Sequence, residues 1–401
     1  VGQAAGLPPP VEQAAGLPLP VEQAAGLLSE GQAAGLSDTD EGQAGGLPYT
    51  SPPRSRRRPV IGWLVAAGLV MLALLATRLL ADQNELPPET AAAPFTEQPI
   101  GDSRWLQGRP LAEARASMAV VSIGLEVYVI GGETAAGVVN TALQYETRTH
   151  EWRELAAKPT AVAEATAAVL FGEIYVPGGR LAGGQPTALV EAYSPSQNAW
   201  RPVAALPRPV AGGLALSDGS YLYLFGGQDG EEYLADSYVY DPGLDSWRPL
   251  PPMAQARALA AGGTVAGRLY VVGGFDDQEE LRLCQFFEPA SESWADCPEM
   301  LLGRGGAGAA VLVNKLYVIG GGLTGEVGYS EVYDPNGQTW HVVNVPMQVD
   351  EPAWTGLGVV SVETRLYAVG GRQRETRLAE TYAYAPFVYQ FFIPAAPGSG
   401  E

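Results

Sequence analysis

The stretch Arg268-Leu269-Tyr270-Val271-Val272-Gly273-Gly274 is a short apolar run, rich in β-branched and aromatic residues, that stops on two glycines. Five residues are too few for a helix and suit a buried strand, and the Gly-Gly pair marks where it must end. The same string recurs as EVYVIGG at 126–132, EIYVPGG at 173–179, YLYLFGG at 221–227, KLYVIGG at 315–321 and RLYAVGG at 365–371. The first glycines, Gly131, Gly178, Gly226, Gly273, Gly320 and Gly370, are spaced 47, 48, 47, 47 and 50 apart. A Trp recurs at Trp105, Trp152, Trp200, Trp247, Trp294 and Trp340; the first five stand 26 residues before the next Gly-Gly and the last stands 30 before it. Seven residues before five of these Trp lies an aromatic, at Tyr145, Tyr193, Tyr240, Phe287 and Tyr333.

Such a period means an array, a solenoid or a propeller. Each unit has room for four strands: a small-residue run, the run into Gly-Gly, one ending near the later aromatic, and one at the Trp. The small-residue runs at 213–217, 261–265, 306–313 and 356–362 suit an innermost strand crowded around an axis. Four strands per unit at this period make a propeller blade. The fold class expected is all-β, a six-bladed β-propeller. The Gly-Gly after an apolar Tyr strand, the later Tyr and the Trp resemble the kelch repeat, over residues 103–394 in all six copies. The departures are Thr147 in place of Pro in the first unit and no Trp in the last. Two ring closures fit: the strand around Trp105 completes the last blade and keeps the 26-residue spacing, or residues 387–393 do so.

The rest of the 401 residues divides sharply. In 1–59 the pentapeptide QAAGL starts at Gln3, Gln13, Gln23 and Gln32, and QAGGL at Gln43. This Ala/Gly/Pro repeat cannot bury enough apolar surface to offset chain entropy, so a disordered tail is expected. Residues 60–80 form an apolar run behind Arg54, Arg56, Arg57 and Arg58, about 31 Å long as a helix. The reading preferred is an uncleaved transmembrane signal-anchor with the N-terminus cytoplasmic and the propeller extracytoplasmic; a cleaved signal peptide or a soluble helix are the alternatives. Residues 81–102 read as a Pro-containing linker and 395–401 as a tail. The absence of an Asn-x-Ser/Thr sequon favours a prokaryotic source.

The net charge of −20 argues against nucleic acid as a partner. Two His and two Cys leave little for a metal site. His150 and His341 fall in outer strands of different blades and do not converge, so the copper chemistry of some kelch-like oxidases is not expected. The SxDxGxTW box of sialidase propellers is absent, and Gly321 and Gly322 end a strand rather than open a phosphate-binding helix. No catalytic set, cofactor or metal is expected. Cys284 and Cys297 fall opposite each other if Phe287 faces Trp294, so they form a disulfide or remain two structural thiols.

The loops after Gly-Gly differ between units. In kelch-like propellers this face is the usual partner-binding surface. Blade 3 offers Asp229, Glu231, Glu232 and Asp236; blade 4 offers Asp276, Asp277, Glu279 and Glu280; blade 6 offers Arg372, Arg374 and Arg377. They read either as a solvated rim or as a bipolar surface for a charged partner or a weak Ca²⁺ site. Arg115, Arg257 and Arg304, each 16 residues before its Gly-Gly, suit either interblade pairing or the channel mouth. The function expected is a membrane-anchored, monomeric, non-catalytic module that binds a protein or a glycan. The alternative is a kelch-like sugar-processing enzyme of the mutarotase type acting at the central mouth.

Overall fold

The computed structural model describes residues 71, 95–100, 104–325, 327–346 and 353–386. The chain divides into two compact units, Val1–Glu89 and Thr90–Glu401. Of the first only Met71 is described, as helical. The repeat tail, the rest of the apolar span, most of the linker, residues 387–393 and the tail at 395–401 lie outside the described residues. Among the described residues no helix is long and apolar enough to cross a membrane.

The second unit is all-β, a propeller-like array of antiparallel sheets. Among the described residues four sheets take four consecutive strands each, typified by Ala261–Val265, Arg268–Val272, Cys284–Glu288 and Ser293–Cys297, and sheet one takes Ala119–Ile123, Glu126–Ile130, Ala142–Glu146 and Glu151–Glu154, skipping the hairpin pair Glu133–Thr134 and Gly137–Val138. The sixth is assembled from both ends of the repeat region. Gly358–Val362, Arg365–Val369 and Thr381–Tyr384 are followed outward by Trp105–Gln107 and then Gln98–Pro99. Trp105 stands opposite Tyr384, where other sheets pair an aromatic with their own Trp, as Tyr240 with Trp247.

The hydrophobic core is not one mass. Among the described residues it falls into six clusters, each straddling two neighbouring sheets, and one of them joins sheet six back to sheet one through Val360, Val362, Tyr367, Val127, Val129 and Tyr145. Tyr and Trp supply the wide side chains that fill these wedge-shaped gaps. The inner strands begin later than the small-residue runs predict, at Leu214, Gly308 and Gly358. The residues just before them are occupied in bonds to the next sheet.

Three sets of hydrogen bonds run around the unit. Each outer Trp indole donates to a carbonyl just beyond the preceding sheet's outer strand, such as Trp247 to Ala204 at 2.9 Å and Trp340 to Pro298 at 2.7 Å. Trp105 does the same to Asn344 at 2.7 Å, across 239 residues of chain. The second glycine of each pair donates its amide to the following sheet, Gly227 to Arg257 O at 2.9 Å and Gly371 to Arg115 O at 2.8 Å. The third set closes on itself. Ser117 donates to Gly356, Gly356 to Gly306, Gly306 to Leu259, Leu259 to Gly212, Gly212 to Glu164 and Glu164 to Ser117, at 2.7–2.9 Å. All six residues have positive φ, between 50° and 68°.

These bonds explain the Gly-Gly signature. At Gly226 φ is +62°, and a Cβ would lie 2.4 Å from Arg257 O of the next sheet. The other five first glycines meet an equivalent carbonyl at 2.3–2.6 Å. No side chain fits there, so Gly226→Ala is expected to cost about 3 kcal/mol or more. Gly124→Ala, also at positive φ but with nothing within 4 Å of the added carbon, should cost only about 1 kcal/mol. Denaturant melts of the two variants check this, and equal costs would refute the collision account. Deleting residues 103–108 removes the outer strand of sheet six and its Trp bond, and should lower the melting temperature sharply in a thermal scan.

Candidate functional site: the face of the loops after Gly-Gly

The central channel is narrow and chemically plain. Its mouth is lined by Ser117, Met118, Glu164, Thr166, Leu259 and Leu357 together with Gly212, Gly306, Gly356 and three alanines. Deeper, Ala167, Ala215, Ala261, Gly262, Ala309 and Gly358 continue the wall. Glu164 is the ionisable group there, held by Arg180 Nε at 2.7 Å. Arg180 also donates to Glu133 at 2.9 Å, and Glu133 takes Arg377 on its other oxygen. Glu133 is pulled below the usual carboxylate range because these arginines outweigh its desolvation. This network spans sheets one, two and six and places Arg377 in an ion pair.

Arg115, Arg257 and Arg304 do not line the two channel cavities. The channel-mouth expectation is corrected: all three are buried, at 3%, 0% and 1% exposure. Each guanidinium turns back to the carbonyl of its own sheet's first glycine, Arg304 to Gly320 at 2.7 Å, Arg257 to Gly273 at 3.3 Å and Arg115 to Gly131 at 3.4 Å. In the sixth repeat the indole of Trp354 replaces the arginine and donates to Gly370 at 2.8 Å. Arg304 also pairs with fully buried Glu331 at 3.0 Å, and Arg257 donates to Gln285. Burial lowers all three guanidinium pKa values, that of Arg257 to about 10, and they stay charged at neutral pH. Sheet two carries a different buried pair that the sequence reading missed, Lys158 with Glu191, the ammonium also donating to Thr160 O at 3.2 Å. The available signal was a Glu inside an apolar strand, in VEAY and SEVY.

Several acids of the expected anionic sector are tied down. Asp229 bonds Arg208, which also reaches Glu232 and Asp236 at 3.3 Å. The backbone amides of Glu232 and Glu231, then Arg208, lower the Asp229 carboxyl to about 2. Asp276 caps the amides of Gln278 and Glu279 and takes Gln255. Glu280 spans to the next sheet, where its carboxylate accepts the amides of Gly305, Gly322 and Leu323 at 2.7–3.1 Å. Glu231, Asp277 and Glu279 remain exposed. Arg372 and Arg374 line a groove beside Leu323, Thr324 and Gly325, and among the described residues no ion pair engages either.

Cys284 and Cys297 are cross-strand partners joined by a disulfide. His150 lies in sheet one and His341 in sheet five, and no metal-holding cluster occurs among the described residues.

A model described as the KLHDC2/KLHL20/DRC7 Kelch-repeats domain matches residues 117–321, half of the chain. The chain belongs to the kelch-repeat family. Among kelch relatives, mouse Kelch-like protein 23 is 32% identical over 126 residues, 31% of this chain and 23% of that protein. Human Kelch-like protein 33 is 38% identical over 119 residues, 28% and 22%. Alpha-scruin of Limulus polyphemus is 29% identical over 132 residues, 31% and 14%. The chain thus spans less than a quarter of the length of these relatives. The solved structure of YjhT superposes with a TM-score of 0.60 at 15% identity, covering 68% of this chain and 95% of that one. That likeness shows the kelch-type fold alone.

A structural role for the buried arginines has a measurable consequence. Arg304→Ala leaves Glu331 buried and uncompensated, at a cost of about 3–5 kcal/mol. Arg304→Met combined with Glu331→Leu should recover only part of that loss, because Gly320 O and the amides of Leu301 and Leu302 then lose their partners. Arg374→Ala, on the exposed rim, should stay within about 0.5 kcal/mol in the same urea titration.

Proposed function

We propose that residues 103–394 form a six-bladed kelch propeller acting as a non-catalytic, protein-binding module, with the face of the loops after Gly-Gly as its docking surface. One observation carries this reading. In five of the six repeats the residue just past Gly-Gly holds the same cross-strand place, opposite Ala116, Ala163, Ala211, Ala258 and Thr355, yet it bears Glu133, Arg180, Gln228, Phe275 and Arg372; the fifth departs, with Gly322 at φ +97°. A rigid frame with differing side chains on one face is suited to recognising one partner. The Ala- and Gly-lined channel supports recognition over catalysis, since the carboxylate at the mouth is already held by Arg180. Placement of the propeller outside a membrane, behind an anchor at 60–80, is part of the proposal. It rests on the arginines before the apolar run and agrees with the disulfide.

Arg372, Arg374 and Glu375 of one groove, together with Glu231, Asp277 and Glu279, are among the charges left for a partner. Affinity capture with the full chain should recover a protein whose binding weakens by about tenfold or more on combined Arg372→Glu and Arg374→Glu. Lys315→Glu, at the far end of its strand from Gly-Gly, should leave capture unchanged. Binding that survives protease treatment of the partner fraction would point to a glycan instead. Capture indifferent to the double reversal would move the docking surface off this groove.

A further inference from the structure

Residues 95–100 lie along the outer edge of the strand Trp105–Gln107, with Gln98 opposite Gln107 and Pro99 opposite Leu106. Glu97 anchors this segment. Its side chain is 10% exposed, and Arg365 of sheet six donates to its Oε2 at 2.6 Å. Its other oxygen, Oε1, is buried without any hydrogen-bond partner. A buried carboxylate oxygen left unmatched is costly and calls for a donor.

The nearest candidate is His150, whose Nδ1 lies 3.8 Å from that oxygen. His150 ends the outer hairpin turn of sheet one at φ +58°. The same turn position holds Asn198 in sheet two and Asp245 in sheet three, whose Oδ1 accepts the hydroxyls of Tyr193 at 2.8 Å and Tyr240 at 2.7 Å. In sheet one Tyr145 Oη meets His150 Nδ1 at 2.9 Å. A neutral imidazole can play the acceptor there, as Asn and Asp do. A protonated one can only donate. Phe95 of the same segment meets the His150 ring edge-on at 5.9 Å, under the Arg109 guanidinium at 5.8 Å from the Phe95 centroid.

We propose that His150 is a proton-operated latch. When it takes a proton from solvent, its Nδ1–H turns to the unmatched oxygen of Glu97 and fastens residues 95–100 over the edge of sheet six. The surrounding charges leave room for the added one. Arg148 pairs with Glu363 and Arg109 with Glu151, each at 3.8 Å, and Arg365 uses only the far oxygen of Glu97. Glu146, Tyr145 and Tyr367 complete the ionisable groups of the packed elements, the Glu146 carboxylate accepting the amide of Arg148 at 3.2 Å. Because the charged imidazole is the latching form, the segment tightens as pH falls and the imidazole takes up its proton.

Hydrogen-exchange mass spectrometry of the full chain reads this directly, with rates corrected for intrinsic pH dependence. Amides of residues 95–107 should be about fivefold better protected at pH 5.5 than at pH 7.5, a gain the size of one net hydrogen bond. His150→Asn, the residue that sheet two carries at this turn, and Glu97→Gln should each abolish the difference. His341→Asn should keep it. Equal protection of the native chain at both pH values, or a pH difference that survives in His150→Asn, would overturn the latch.

Discussion

Six backbone hydrogen bonds around the channel mouth, each from an amide of one sheet to a carbonyl of its neighbour, hold the kelch unit to its geometry. Every member of that circuit sits in the left-handed region, and three are glycine. The circuit has no end, so no sheet can slip against its neighbour without breaking bonds on both sides. The Gly-Gly amides and the Trp indoles repeat the same logic further out. Packing follows from it. Each hydrophobic cluster belongs to two sheets, so the core exists only when neighbouring sheets are present.

Charge is used in two ways. Inside, Arg304 with Glu331 and Lys158 with Glu191 serve the backbone near the strand ends and are removed from any partner's reach. On the rim, Arg208 and Glu280 neutralise or clamp much of what reads in the sequence as an acidic sector. What is left for recognition is smaller and more localised than the composition implies: Arg372 and Arg374 with Glu375 in the sixth repeat and a few acids in the third and fourth. The site is therefore defined as much by which charges are spent as by which are present.

The fold was legible because its period is covalent. Tyr270, Gly273 and Trp294 have counterparts at nearly constant spacing, and a strand of five residues leaves little ambiguity about register once one aromatic pair is aligned. The pairing of Cys284 with Cys297 came from the same arithmetic. The candidate site was much less legible. Arg257 and Arg372 are alike as letters, yet one lies beneath the Gly-Gly turn and the other stands on the rim. Glu280 shows no sequence mark of its contact with Gly322, 42 residues away.

By itself the sequence determined the strands, their number per repeat and the places where only glycine is tolerated, because these depend on local side-chain volume and periodicity. Only the tertiary structure decided which terminal strand completes sheet six among the described residues, which charges are paired, and that His150 faces an unmatched carboxylate oxygen. Those outcomes depend on contacts between residues tens to hundreds of positions apart. Spacing along the chain cannot encode them until the ring brings its two ends together.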